Sequence, residues 1–274
     1  MRSGGVVHAL WSIGDHLVLR IPKNETMCIG DALCEIAAIP RARAAGVRTP
    51  GLAAFDTARD IVDVPYSIVE RVHGVNLSAL KNDDTRLADL YRDLGRQLAL
   101  VHRASREPNP SFRTPDTETI DVVLDEALRA GMLHPAGIDW FRALLDRLDR
   151  RLEGESAEAC FLHNDVKPDN AMLDMAGRLH LIDWGDASIG DAANDFHSLP
   201  LTAVVHALDG YRAAGARDDG IEARILRRIA IRSLTALRRA PLTGPSWYRP
   251  LAATLTDLLT FAIADPARWG RWTG

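Results

Sequence analysis

Over the first 74 residues, apolar positions come in short runs broken by proline, glycine and charge. His16 to Ile21 (His-Leu-Val-Leu-Arg-Ile) ends at Pro22, which cannot donate to a sheet ladder, so the run predicts a strand with a hard stop. Ile61 to Val64 and Tyr66 to Val72 predict two more strands, and His73-Gly74 a turn. Asp31 to Ala45 predicts a helix with Asp31 as N-cap and Gly46 as stop, kinked or split at Pro40. Beyond Leu77 the period becomes helical. Leu87, Leu90, Leu94, Leu98 and Val101 recur every three or four positions, as do Ile138, Phe141, Leu145, Leu148 and Leu152. Pro108 to Pro115, between these two helices, is a polar, proline-rich connection. Further apolar stripes run through Ile225, Ile229 and Leu234, then through Leu251, Leu255, Leu258 and Phe261. The pattern therefore predicts an α+β chain, with a small β-rich lobe over 1–74 and a larger helical lobe over 75–274.

One stretch departs from the helical period: Phe161 to Phe196, FLHNDVKPDNAMLDMAGRLHLIDWGDASIGDAANDF. Ala171 to Leu173 and Leu179 to Ile182 are short apolar strands around a turn at Met175-Ala176-Gly177, which makes a hairpin. Its outer ends carry His163, Asp165, Lys167 and Asn170 on one side and Asp183 on the other. A hairpin brings its ends together. Asp165, Asn170 and Asp183 then converge as two carboxylates and an amide, the hard oxygen set that Mg²⁺ prefers when it also holds phosphates.

Composition changes this picture in two ways. The 274 residues carry a net charge of -4 and no long basic run, so the chain lacks the electrostatic footprint of a nucleic-acid binder. Only three of its 33 basic residues are lysines (Lys23, Lys81 and Lys167), the other 30 being arginines, so Lys167 inside the hairpin region stands out. Cys28, Cys34 and Cys160 show neither a paired framework nor metal spacing. With no signal-like start and no uninterrupted apolar run of about 18 residues, the expectation is a cytoplasmic protein with no membrane partner, a monomer or a homodimer.

His163-Asn164-Asp165-Val166-Lys167-Pro168-Asp169-Asn170 followed by Asp183-Trp184-Gly185 resembles the catalytic loop and metal-binding Asp-x-Gly of the protein-kinase-like fold. The continuation Gly190-Asp191-Ala192-Ala193-Asn194-Asp195-Phe196, with His-Leu-Val-Leu-Arg-Ile-Pro near the N-terminus, is similar to the aminoglycoside phosphotransferase family, the antibiotic-kinase branch of that fold. The resemblance implies a bilobal fold and Mg²⁺-dependent transfer of the γ-phosphoryl group of ATP or GTP to a hydroxyl of a small molecule. It implies Asp165 and Lys167 as catalytic residues and Asn170 and Asp183 as metal ligands. On the nucleotide side it implies Gly4 and Gly5 in a glycine-rich cover and Arg20 in place of a phosphate-binding lysine, with Glu35 as its partner. Lys23, Glu25 and Asp31 are rivals for that ion pair. The hinge backbone at Glu70 and Val72 would meet the purine edge, while Asp195, with Asp191 as a second candidate, would hold the catalytic loop.

Two departures accompany the resemblance. Val7 and His8 stand where a polar pair is usual. The strand before the glycine pair should be missing or reduced to Met1-Arg2, which would leave the nucleotide cover incomplete. The acceptor stays open between an antibiotic (aminoglycoside-like, macrolide or cyclic peptide) and a metabolite such as choline, homoserine or a sugar. A catalytically silent nucleotide-binding protein is the third alternative. Asp186, Asp209, Asp218, Asp219, Glu222 and Asp257 are candidate acids for a cationic acceptor, and His102 is expected to be a core or capping residue.

Overall fold

The computed structural model describes residues 2–4, 8–81, 83–114, 120–155, 157–216, 220–239 and 249–274. By its backbone contacts the chain forms two compact units. One comprises residues 1–115, 158–195 and 206–216, the other 116–157, 196–205 and 217–274.

The first unit opens with β1 (Arg2–Gly4), β2 (His8–Ile13) and β3 (Leu17–Pro22), a meander of antiparallel strands. Pro22 ends β3 as expected. The strand expected to be missing or reduced to Met1-Arg2 is a short one that takes in the first glycine of the pair, with Arg2, Ser3 and Gly4 opposite Trp11, Leu10 and Ala9. Next comes α1 (Thr26–Ala44), which begins five residues before Asp31, so Asp31 lies inside the helix instead of capping it. Pro40 does not end the helix. It closes in a Schellman motif, with Gly46 N–H bonding Arg43 O at 2.9 Å and Val47 N–H bonding Ala42 O at 3.1 Å, and Gly46 takes the positive φ that the motif requires.

β4 (Leu52–Asp56) and β5 (Tyr66–Glu70) complete a sheet of order β1-β2-β3-β5-β4. The expected strand at Ile61 to Val64 is a bend, with Ile61 exposed, and the residues that pair with β5 are those of β4. Gly74 is no turn residue either, because it opens β6 (Gly74–Asn76). Its lack of a side chain is required there: a Cβ would sit 1.9 Å from the Leu173 carbonyl oxygen.

α2 (Leu87–Val101) buries Leu90, Leu94, Leu98 and Val101, the predicted stripe. In the second unit, α3 (Ile120–Arg129) adds a helix that the sequence reading passed over, and α4 (Pro135–Arg151) buries Ile138, Phe141, Leu145 and Leu148. The first unit resumes with β7 (Cys160–Leu162), β8 (Ala171–Asp174), β9 (Leu179–Leu181) and β10 (Ser188–Gly190). The hairpin β8-β9 joins β6 in a three-stranded sheet, while β7 and β10 form a separate pair.

α5 (Leu201–Ala213) divides between the two units. Within the first, it crosses α2 with one glycine from each helix set against the backbone of the other. A Cβ on Gly95 would meet Ala207 O at 1.8 Å, and one on Gly210 would meet Arg92 O at 1.9 Å. In the second unit α6 (Ile221–Arg239), α7 (Arg249–Ala264) and α8 (Pro266–Thr273) complete a helical cluster, α6 packing on α3, α4, α7 and α8. Ile225, Ile229, Leu234, Leu258 and Phe261 are buried, and the side chain of Leu251 lies outside the described residues. None of the described helices is long and apolar enough to cross a membrane.

Candidate active site

The predicted catalytic residues all lie in the first unit, on the segment from β7 to β10. β7 is buried throughout, so the chain emerges from the core at His163 and turns through Asn164, whose φ of 69° is left-handed. Asp195 fixes that turn. Its Oδ1 accepts the Asn164 N–H at 2.6 Å and its Oδ2 the His163 N–H at 3.1 Å, while His102 Nε2 lies 3.0 Å from Oδ2. His102 in turn meets the Tyr211 hydroxyl at 2.9 Å. Burial opposes ionisation of Asp195, but the bonds from His102 and the backbone outweigh it and hold the carboxyl below its usual range. The loop-holding role expected of Asp195 is thus met by direct bonds, and His102 is a buried residue of the same network.

Asp165 stands on that fixed turn with its side chain largely covered. Its Oδ2 accepts from Lys167 Nζ at 2.6 Å and from Asn170 Nδ2 at 2.7 Å, and its carbonyl accepts the same amide at 2.9 Å. Asn170 ends a 3₁₀ turn begun by Pro168. Because its nitrogen faces Asp165, its oxygen is left for another partner. Ile182 N–H bonds Asn170 O at 3.0 Å, which places Asp183 beside Asn170 across the hairpin mouth. Asp183 adopts φ 69° and its carboxylate is about half exposed. The backbone pairing thus sets Asn170 and Asp183 side by side at the hairpin mouth, with Asp165 bonded to Asn170.

Trp184, fully buried, holds Asp183 from behind. It stacks on Phe161 at 5.8 Å, packs against His163 at 4.4 Å, and donates Nε1–H to Thr49 Oγ1 at 2.9 Å.

On the sheet side, Arg20 Nη2 reaches Asp183 Oδ1 at 3.3 Å and Arg20 Nε lies 3.0 Å from Glu35 Oε2. The ion pair falls on Glu35; Lys23, Glu25 and Asp31 do not share it among the described contacts of Arg20. The Arg20–Glu35 contact is close but off the hydrogen-bonding axis, so both atoms are buried without a hydrogen bond. Burial pushes the Glu35 carboxyl up, against the pull of Arg20. His8 is buried too, with Nε2 unpartnered, and burial followed by the charge of Arg20 lowers its pKa to about 4.

A cavity of about 600 Å³ is lined by Leu10, Val18, Arg20, Glu35, Val69 and Asp183, and continues along the hinge from Glu70 to Val75. Glu70 and Val72 thus border the same space as Arg20 and Asp183. The Glu70 N–H is already bonded to Gly51 O at 2.9 Å, and its carboxylate to Gly51 N–H at 2.7 Å and Arg43 at 3.1 Å. Gly4 is placed only as the end of β1, and Gly5 lies outside the described residues.

Arg113 is a residue that sequence reasoning missed. From the loop after α2 it bonds Gly185 O through Nε at 3.3 Å and Ala187 O through its N–H at 2.9 Å, and it pairs with Asp31 on α1. Its guanidinium also lies 3.6 Å from Asp186. No motif could have exposed it, since its partners are more than 70 residues away in both directions. Asp186 itself is pushed up by burial and then by the neighbouring Asp165 and Asp183 charges. Among the other candidate acids, Asp257 accepts the Leu201 N–H at 3.2 Å and is a capping group, Asp209 is exposed, and Asp218 and Asp219 lie outside the described residues.

The donor set suits Mg²⁺. Among the described residues no group of three or more His, Cys, Asp or Glu side chains forms an all-protein metal cage. A carboxylate and an amide oxygen beside an anion site match an ion that keeps waters and binds phosphates.

These features define a phosphotransferase of the protein-kinase-like fold. Residues 3–237 match the model of the phosphotransferase enzyme family designated APH, and the chain belongs to that family. A choline/ethanolamine kinase family protein from Mesorhizobium loti is 18% identical with a TM-score of 0.66, covering 100% of this chain and 90% of its own. The GDP complex of an aminoglycoside 2'-phosphotransferase-IIIa mutant is 17% identical with a TM-score of 0.64, over 96% and 91%. The choline kinase LicA from Streptococcus pneumoniae is 16% identical with a TM-score of 0.58, over 95% and 93%. No curated protein matches the chain significantly.

Proposed function

We propose that this small-molecule phosphotransferase moves the γ-phosphoryl group of ATP or GTP to a hydroxyl of a cationic small molecule. The observation that carries the reading is the bonding of Asp165 to Asn170 next to Asp183, which itself lines the cavity that runs along the hinge backbone. Asp165 would orient the acceptor hydroxyl and take its proton as the new O–P bond forms and the bond from the γ-phosphorus to the bridging oxygen breaks, releasing the nucleoside diphosphate. Asn170 and Asp183 would hold Mg²⁺, which when bound supplies charge neutralisation on the phosphates. Arg20 would leave Asp183 for the α- and β-phosphates, where its fork matches phosphate geometry. Lys167, which donates to Asp165 Oδ2, would offer its charge to the transferred group from the same side of the loop.

Two acceptor classes remain in view. Solved relatives include a streptomycin–ATP ternary complex of APH(2")-IIa and a kanamycin complex, and choline kinases stand beside them. Asp186, pushed up by burial and then by the neighbouring Asp165 charge, would ionise more readily beside a cationic acceptor, which fits a cation in either class. The test is mass spectrometry of the purified protein with Mg²⁺, ATP or GTP and a panel of aminoglycosides, macrolides, cyclic peptides, choline, homoserine and sugars. Phosphorylation of an aminoglycoside is the expected result for the antibiotic reading. Turnover of choline alone would replace it with the metabolic one, and nucleotide binding without transfer to any acceptor would sink both.

A further inference from the structure

The strand register gives His8 a position that packing does not explain. Leu10 lies opposite Arg20 and His8 opposite Pro22 in the β2-β3 ladder. Side chains two apart on a strand share a face, so His8 continues the face of Leu10, while Arg20 lies across from it beside Val18. Leu10, Val18 and Arg20 all line the cavity. His8 is thus one step beyond the lined wall, at the end where Arg20 meets Asp183, and those two side chains are the charged groups that act on its ring. The imidazole is 6% exposed and its Nε2 is buried with no hydrogen-bond partner. A valine or isoleucine would fill the place without stranding a polar atom.

We infer that His8 is a nucleotide-phosphate contact, its Nε2–H donating to a phosphate oxygen beside the one that Arg20 binds. The inference rests on the proposed function and adds a residue to it. Arg20 brings charge, and His8 brings a neutral donor at a fixed point of the strand. The Nε2 that is stranded among protein atoms gains an acceptor when the phosphates enter.

The test is calorimetric titration of the wild type, His8→Ala and His8→Gln with ADP, GDP, adenosine and guanosine in the presence of Mg²⁺. For the nucleotide that the wild type binds, His8→Ala should weaken the diphosphate roughly tenfold, as expected for loss of one hydrogen bond to a charged group, and leave the nucleoside unchanged. His8→Gln, which keeps an N–H donor, should recover part of the loss. Should His8→Ala fail to fold in a thermal melt, His8→Leu fills the same space without a donor and carries the same comparison. Unchanged or tighter diphosphate binding, or an equal loss for diphosphate and nucleoside, would overturn the inference alone. A wild type that binds neither nucleotide would overturn the proposed function, and this inference with it.

Discussion

The loop that carries Asp165 and the corner that carries Arg20 lie on either side of Asp183, yet they are built on opposite principles. In the loop the two carboxylates and the indole all have partners. Asp195 takes two backbone N–H groups and His102, Asp165 takes Lys167 and Asn170, and Trp184 finds Thr49. In the corner, Arg20 Nε, Glu35 Oε2 and His8 Nε2 are all buried without hydrogen bonds. The loop is therefore a frame whose geometry is over-determined before anything binds, which is what positioning a hydroxyl demands. In the corner those atoms lack hydrogen bonds, which under the proposed function a phosphate would supply to Arg20 and His8. Buried ion pairs of that kind contribute little net stability, so their retention points to binding rather than folding.

Four variants would break or sharpen this contrast. The largest effect is expected from Asp165→Asn, which should cut kcat by about a thousandfold, equivalent to about 4 kcal/mol, with nucleotide affinity and melting temperature nearly unchanged. Wild-type turnover would remove Asp165 from the mechanism. Next, Asp195→Ala should destabilise the fold by about 3 kcal/mol in urea titration, since it strands two buried N–H groups. The same carboxyl gives a pH signature. Its folded-state pKa is lowered, so its contribution is full above the unfolded value near 4 and is lost as pH falls through the folded value. The wild type should lose stability on acidification in that window, and the variant should lose less.

Third, replacing the ion pair as Arg20→Met with Glu35→Leu should weaken nucleotide binding by more than tenfold, while unfolding stability stays within about 1 kcal/mol of the wild type. A stability loss of the size seen for Asp195→Ala would make the corner a frame like the loop and erase the contrast. The smallest effect is expected for Thr49→Val, which removes the acceptor for Trp184 and should cost about 1 kcal/mol with kcat lowered only slightly, as measured by urea titration alongside the kinetic assay.

How much of this was legible in the sequence follows the range of the interactions. The β8-β9 hairpin and the residues at its mouth were readable because they are local, a fixed spacing of polar types around a turn. The stop of α1 was readable from Gly46, but its start was not, because the helix begins at Thr26 with Glu25 as a cap that makes no side-chain bond. Ile61 to Val64 had strand composition without a partner, whereas Leu52–Asp56, blander in sequence, pairs with β5 and becomes the strand. Pairing is a long-range property that alternation cannot disclose. Arg113 shows the same limit at the site, and α3 was overlooked because its apolar stripe is short. His8 was visible only as a departure from a family pattern, and its meaning came from register and burial.

Arg20 carries one further consequence. Among the described residues no lysine lines the cavity, and Lys167 is bonded to Asp165. A nucleotide bearing an acylating group, which would modify the primary amine of a kinase that uses lysine at this place, meets only a guanidinium here. Covalent chemistry aimed at phosphate-site amines would pass this protein by, unless it reached across to Lys167.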